Sequence, residues 1–257
     1  MAETSSLASA LLAGRPVSAI ARESGIAIAD EYHVVALAIP PHHDHHGPAA
    51  DVAAEARHRA HRLQAALAER GGTAVLSQLS VGGGTVLIPR PRVGDRDIDL
   101  LIQHAARSAQ IPVTATVVSS TAAGILAAAQ RAHELLDVAQ RLRVRHGVYR
   151  FDDLALEYQL TRPGPGREYL ASLLDPLDGH PELRNTLVQH IGSGLYRQQT
   201  ARILNVHVNT VDYRLRRIAQ LTGLDPGQPA GLWYLQSALV AYAFSSAHRP
   251  DRQGEIC

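Results

Sequence analysis

Lysine is missing from this 257-residue chain, so all 25 of its basic residues are arginine. Together with the high alanine content, this points to a GC-rich coding bias more than to a functional choice. Cysteine occurs once, at the terminal Cys257. A disulfide framework and paired metal thiolates are therefore excluded, and a reducing, cytoplasmic setting is expected. No apolar run approaches the length of a bilayer, and no membrane partner is expected. The early run LASALLAG (7–14) has no basic segment before it, so it reads as helix and not as a signal peptide. An excess of either charge is also lacking: the net is +1, no global field recruits nucleic acid, and any basic footprint must be local. The G-x-S-x-G, Walker and dinucleotide fingerprints are absent, as is a Cys/His pair that could join a nucleophile to a base. An enzymatic reading has no residues to stand on.

What is present is ordinary for a soluble globular protein, with 46% hydrophobic and 19% charged residues over a length that suits one large or two modest domains. Short helices are predicted over Ser6–Ala13 and Val17–Ser24, each closed by a glycine. Tyr32–Ile39 reads as a buried strand bounded by Pro40 and Pro41. A polar insert, His42–Gly47, leads to a long helix over Ala49–Arg70, with Val52, Ala56, Leu63 and Leu67 on one stripe. Thr73–Leu79 and Thr85–Ile88 form a hairpin across Val81–Gly84. A helix (Ile98–Gln110), a strand (Val113–Ser119), a long helix (Ala122–Val144) and a short strand (Gly147–Tyr149) follow. This order predicts an α+β, ferredoxin-like sandwich with helices on one face of a mainly antiparallel sheet. A helix over Asp152–Leu160 leads out to the Pro/Gly-rich Thr161–Gly166. Beyond it all is helical: Glu168–Leu174, Pro181–Ile191, Gln198–Leu204, Val208–Leu221 and Pro229–Ser246. The last, with Trp233, Leu235, Leu239 and Phe244, is apolar on most of its circumference and should be buried against neighbours or a second subunit.

Gln198–Leu221 carries the sharpest signal. Ala201 is the small residue that lets one helix approach the next, and Leu204 and Val206 flank a tight turn. With Val211 set at zero and about 100° per residue, Leu215 and Ile218 fall within roughly 40° of it and form one seam. Asn209, Tyr213, Arg216 and Gln220 fall on the opposite side, bordered by Arg217 and Asp212. Asn and Gln pair bidentately with adenine, Arg with guanine, and Tyr reaches phosphate or a thymine methyl. Arg214 lies on the flank, where phosphate contact or an intramolecular salt bridge is expected. Between Leu183 and Leu221 there are six arginines against the single Asp212, a local formal charge of +5. A helical hairpin with a solvated arginine face would share the periodicity; the charge concentration and the spacing around the turn favour DNA. The predicted DNA-binding set is Arg197, Gln198, Thr200, His207, Asn209, Thr210, Tyr213, Arg214, Arg216 and Arg217.

The run Asn205–Ile218 (NVHVNTVDYRLRRI), continued by AQLTGLD to Asp225, resembles the C-terminal domain of PucR/CdaR-type bacterial transcriptional regulators, which has a Fis-like helix-turn-helix. Leu173–Leu177 and Pro181–Leu187 are similar to the lead-in helices of that family. Upstream, Leu11–Arg15, Gly25-Ile26, Glu31–Val35 and Phe151–Leu154 resemble its GGDEF-like domain. The resemblance implies a degenerate GGDEF-like domain over 1–160, a linker over 161–167 and an all-α DNA-binding domain over 168–257, with the helix-turn-helix at 198–221. It implies double-stranded DNA as partner. A single helix-turn-helix reads few base pairs, so a homodimer on a twofold operator is expected, and a small-molecule effector is a further expected partner whose identity the sequence does not reveal. A sensory domain often precedes this arrangement in the family. The family often has arginine where this chain has Val208, and a basic residue where it has Asp212; these departures bear on which DNA sequence is read.

Two tempting sites are set aside. A diguanylate cyclase needs carboxylates at the hairpin and at the end of the first strand to hold two Mg²⁺ ions. Here the hairpin reads Gly82-Gly83-Gly84-Thr85 and the strand ends Ile39-Pro40. His42, His43, Asp44, His45 and His46 have metal-ligand chemistry, and His58 and His61 could add to it. Adjacent residues in one loop rarely converge on an ion, however, and nothing supplies outer-shell partners. No metal or cofactor is expected, and the chain is read as a non-enzyme. The competing readings are a protein-interaction module docking through the C-terminal helix and, behind it, a metal-binding enzyme.

Overall fold

Strand β1 is the axis of the first unit, and its sequence explains why. In EYHVVALA every residue after Glu31 is buried, with no polar alternation, as in a strand covered on both faces. The computed structural model describes residues 2–40, 49–72, 74–90, 92–95 and 97–245. Its elements run α1 (Ala2–Leu12), α2 (Ser18–Ser24), β1 (Glu31–Ala38), α3 (Ala49–Gly71), β2 (Leu76–Ser80), β3 (Gly83–Pro89), α4 (Ile98–Ala109), β4 (Thr114–Thr121), α5 (Ile125–Arg141), β5 (Gly147–Tyr149) and α6 (Phe151–Leu160). A 3₁₀ turn, Ala122–Gly124, joins β4 to α5. The sheet order is β2-β3-β1-β4-β5. Val35 pairs antiparallel with Val86 on one side and Val117 on the other, Leu76 pairs antiparallel with Leu87, and β5 is added parallel to β4. The fold is α+β, with a ferredoxin-like order extended by one parallel edge strand.

The expectation of helices on one face is corrected by the structure. Val35, Leu37, Val86, Ile88 and Val117 meet Leu63, Leu67, Ile98 and Ile102 of α3 and α4. On the other face Tyr32, Val34 and Leu87 meet Leu7 and Leu11 of α1 and Ile125 of α5. Farther along β1, Ala36 and Ala38 meet Ala132 and Leu136 of α5. Two crossover helices fill the first face; the helices that precede and follow the ferredoxin-like unit fill the second. Alanines on α5 permit close approach, and Thr116 Oγ1 donates to the Ala132 carbonyl across 2.6 Å.

The hairpin turn itself is Val81-Gly82; Gly83 and Gly84 already belong to β3. Their φ angles are +120° and +153°. A Cβ on either would strike backbone, Leu37 O for Gly83 and Gln78 O for Gly84. The glycines thus serve strand packing, in a segment where the cyclase signature would need carboxylates. The His42–His46 loop lies outside the described residues. Among the described residues no group of three or more His, Cys, Asp or Glu could hold a metal ion, and no helix is long and apolar enough to cross a membrane.

The chain divides into two units that meet between Ala155 and Leu156, within α6. The second contains α7 (Pro165–Ser172), α8 (Pro181–Gly192), α9 (Arg197–Leu204), α10 (Val208–Thr222) and α11 (Pro229–Ser245). α7 starts at Pro165, so the predicted linker 161–167 loses its last three residues to a first helical turn, where proline is tolerated. Leu174, Leu177, Leu183, Leu187, Ala201, Val211, Leu215, Ile218, Leu235 and Ala238 form its core. α11 packs along α7, and its buried residues include Leu235, Ala238 and Ala241. Its uniform apolarity does not translate into complete burial: Trp233 is 53% exposed and Tyr234 44%.

Candidate nucleic-acid interface

Three helices, α8, α9 and α10, build this site, and the turn between the last two sets its geometry. α9 ends on Asn205, whose φ of +53° is tolerated by asparagine. Asn205 N donates to Arg202 O and Val206 N to Ala201 O, so the last carbonyls of α9 are satisfied as the chain reverses. His207 caps α10: its Nδ1 accepts from Asn209 N at 3.2 Å. Nδ1 is thereby the unprotonated nitrogen, and His207 acts as a cap in addition to its predicted place in the DNA-facing set.

Val211, Leu215 and Ile218 are buried, as their angular positions predict, and Ala201 lies under them at the helix crossing. The opposite side of α10 is open: Asn209, Tyr213, Arg216, Arg217 and Gln220 are all exposed. Arg216 Nε donates to Asp212 O and Arg217 Nη1 to Gln220 Oε1, bonds that orient the two side chains on the surface. Gln198 is exposed at the start of α9, and Thr210 is half-buried in the first turn of α10.

Two predicted residues are turned inward. Thr200 is fully buried, which removes it from the DNA-facing set. Its Oγ1 donates to Tyr196 O at 3.0 Å and lies 2.9 Å from Ser193 Oγ and 3.2 Å from His190 Nδ1. The hydroxyl joins α9 to α8. Leu204, one turn later on the same face, was the signal in the sequence. Arg214 is half-buried, and its Nη1 donates to Thr186 Oγ1, which itself donates to Glu182 O. It braces α10 against α8 by a hydrogen bond, in place of the phosphate contact or salt bridge expected from its flank position.

The local charge is redistributed accordingly. Arg184 bonds Tyr242 Oη and sits 4.8 Å over that ring, tying α8 to α11. Arg197 Nε meets Asp212 Oδ1 at 2.7 Å, so the acidic residue that departs from the family pattern serves as a clasp between α9 and α10. With both groups substantially exposed, such a pair contributes at most about 1 kcal/mol. Arg202, Arg216 and Arg217 are exposed. Burial lowers the His190 pKa, Arg197 lowers it further, and Asp212 opposes both; the ring is neutral at pH 7. Tyr196, which is 69% exposed, and the exposed Gln199 and Arg202 lie outside the predicted DNA-binding set, although Arg202 belongs to the local basic footprint. These three share a shallow hollow with Leu195, Arg197 and Gln198. Only the off-seam phase of α9 signalled Gln199 and Arg202.

Two helices crossing at a tight turn, the second with a buried seam beneath an exposed Asn-Tyr-Arg-Arg face, define a helix-turn-helix domain. Its family is specific: residues 183–241 match the PucR C-terminal helix-turn-helix domain, and the chain carries a domain of that type. The uncharacterized protein YsfB of Bacillus subtilis is 39% identical over 75 residues, which are 28% of this chain and 20% of that protein. The uncharacterized protein Rv2242 of Mycobacterium tuberculosis is 44% identical over 61 residues, 24% of this chain and 15% of that one. The matched segments therefore span a fifth or less of these curated relatives. A solved regulator of polyketide synthase expression from Bifidobacterium adolescentis aligns over 96% of this chain and 94% of its own, at 22% identity and a TM-score of 0.41.

Proposed function

We infer that the chain is a transcriptional regulator that reads double-stranded DNA with α10. The observation that carries this is the exposed Asn209, Tyr213, Arg216 and Arg217 face above the buried Val211–Leu215–Ile218 seam, in a domain of PucR type. In this reading Asn209 and Arg216 contact base edges, and Arg217, Arg202 and Gln198 contact phosphates. The first unit serves as a catalytically inert, GGDEF-like module for dimerisation or signal relay. Support comes from a hairpin and β1 end that bring Leu37 and Ala38 against Gly84 and Gly83, with no carboxylate at either place. The protein acts in the cytoplasm as a homodimer, since one recognition helix reads few base pairs and twofold pairing doubles the site.

Selection of bound fragments from a genomic library, followed by footprinting of the purified full chain, tests this reading. Enriched fragments with a twofold-related footprint are expected. A monomer on a single half-site would remove the dimer. No affinity for DNA at moderate salt would instead favour a protein-docking module, for which the exposed Trp233 and Tyr234 are the supporting observation.

A further inference from the structure

Between α4 and β5 lies an apolar groove of about 410 Å³ that the DNA reading does not use. Its floor is the main core itself: Ile102, Ile111 and Val113 are each buried, and Ala106 and Val148 pack against the same cluster. β5 is the sheet edge and only three residues long, so the α4 side of the sheet ends there, beside the groove. The rim is polar and of one charge sign. Gln103, Arg107 and Gln110 of the α4 end face His146 across the groove, and no lining residue is acidic. His146 Nδ1 lies 3.1 Å from Thr114 Oγ1, which fixes the ring.

We propose that this groove binds a small carboxylate with an apolar tail, the tail on Ile102, Ile111, Val113 and Val148 and the carboxylate on Arg107. The volume falls within the range of small-molecule sites. A second copy of the chain would need on the order of 800 Å² per partner, far more than one hollow of this size offers. Guanidinium and carboxylate meet in a two-pronged geometry, and an apolar floor continuous with the core desolvates the tail. The groove lies wholly within the first unit, and the proposal does not rest on DNA binding.

The test is titration of the full-length protein with octanoate and with 3-phenylpropionate, followed by methyl NMR and calorimetry, with octanol and 3-phenylpropanol as neutral controls. Methyl shifts are expected at Ile102, Ile111, Val113 and Val148, with the acids binding more tightly than the alcohols. Arg107→Glu should weaken the acids by about tenfold or more, and Gln103→Trp, at an exposed position, should block both. Absence of shifts with either acid would overturn the proposal. So would an unchanged affinity in Arg107→Glu, equal binding of acids and alcohols, or acid-independent dimerisation that shields the same methyls.

Discussion

The two units treat their charged side chains in opposite ways. At one end of the central strands, Arg90 bridges Glu31 and Asp95 at 3.0 Å each, and Arg150 grips both oxygens of Asp99 at 2.8 and 3.1 Å. Arg150 also donates to Asp95 O at 3.1 Å. These arginines staple the loop before α4 to β1 and to the start of α6. Within the same cluster His33 is buried, its Nε2 lying 2.9 Å from Val93 O. Since a carbonyl only accepts, Nε2 carries the proton in the neutral ring, and Ser119 can donate to Nδ1. In the helix-turn-helix, by contrast, Arg202, Arg216 and Arg217 are exposed, and the carboxylate on α10 is engaged by Arg197. Matched charges hold a fold together; arginines left at the surface over a buried seam are available for an external polyanion. The polar hollow beside His33, lined also by Asp95, Arg131, Arg150 and Asp152, therefore reads as structure in spite of its many ionisable groups.

The largest effect that would break this contrast is on DNA. Arg216→Ala combined with Arg217→Ala should weaken operator binding on the order of a hundredfold, and the salt slope should become shallower by about one unit per lost phosphate contact. Fluorescence anisotropy across a salt series measures both, and unchanged binding would remove α10 as the recognition helix. Arg150→Ala should do the reverse, lowering stability by about 1 kcal/mol, discounted for exposure, while DNA affinity holds. Denaturant unfolding followed in parallel with anisotropy separates the two outcomes.

Thr200→Val should cost about 1 kcal/mol by leaving Ser193 and His190 short of a partner, with operator affinity unchanged in the folded fraction. A selective loss of affinity at unchanged stability would return Thr200 to the DNA-facing set. pH provides a further comparison. Burial lowers the pKa of both His33 and His190, so below about pH 6.5 the unfolded chain takes up protons that the folded chain refuses. Stability should therefore fall as pH drops through that window. His33→Gln should flatten the fall in the sheet unit, and His190→Gln in the helical unit, by hydrogen exchange at pH 7.5 and 5.5. The smallest expected effect has the opposite sign: Asp212→Asn releases Arg197 and should tighten DNA binding a few-fold, with a steeper salt slope.

Much of this was legible from local pattern. Glycine and proline punctuation located the helices to within a few residues, and the 3.6-residue period separated Val211, Leu215 and Ile218 from Tyr213 and Arg216. Tyr32–Ile39 read as a buried strand, but the order of elements suggested one covered face, where the structure covers both. What periodicity defines is an angle about a helix's own axis, set by backbone geometry that each segment carries with it. It does not say which element lies at that angle, or how deep.

That second quantity belonged to the tertiary structure. Thr200 reaches His190 on α8, and the partners of Arg214 and Arg184 sit on other helices, Thr186 being 28 residues from Arg214 and Tyr242 58 from Arg184. Whether an arginine faces DNA or braces a neighbour depends on whether a hydroxyl or ring waits within reach, and only the packed chain decides it. The sequence by itself determined the helix-turn-helix, its seam and its exposed face, because those follow from short-range spacing. The packing of three helices decided which polar residues on that face remained available, because desolvation and hydrogen bonding act between elements brought together by the whole core.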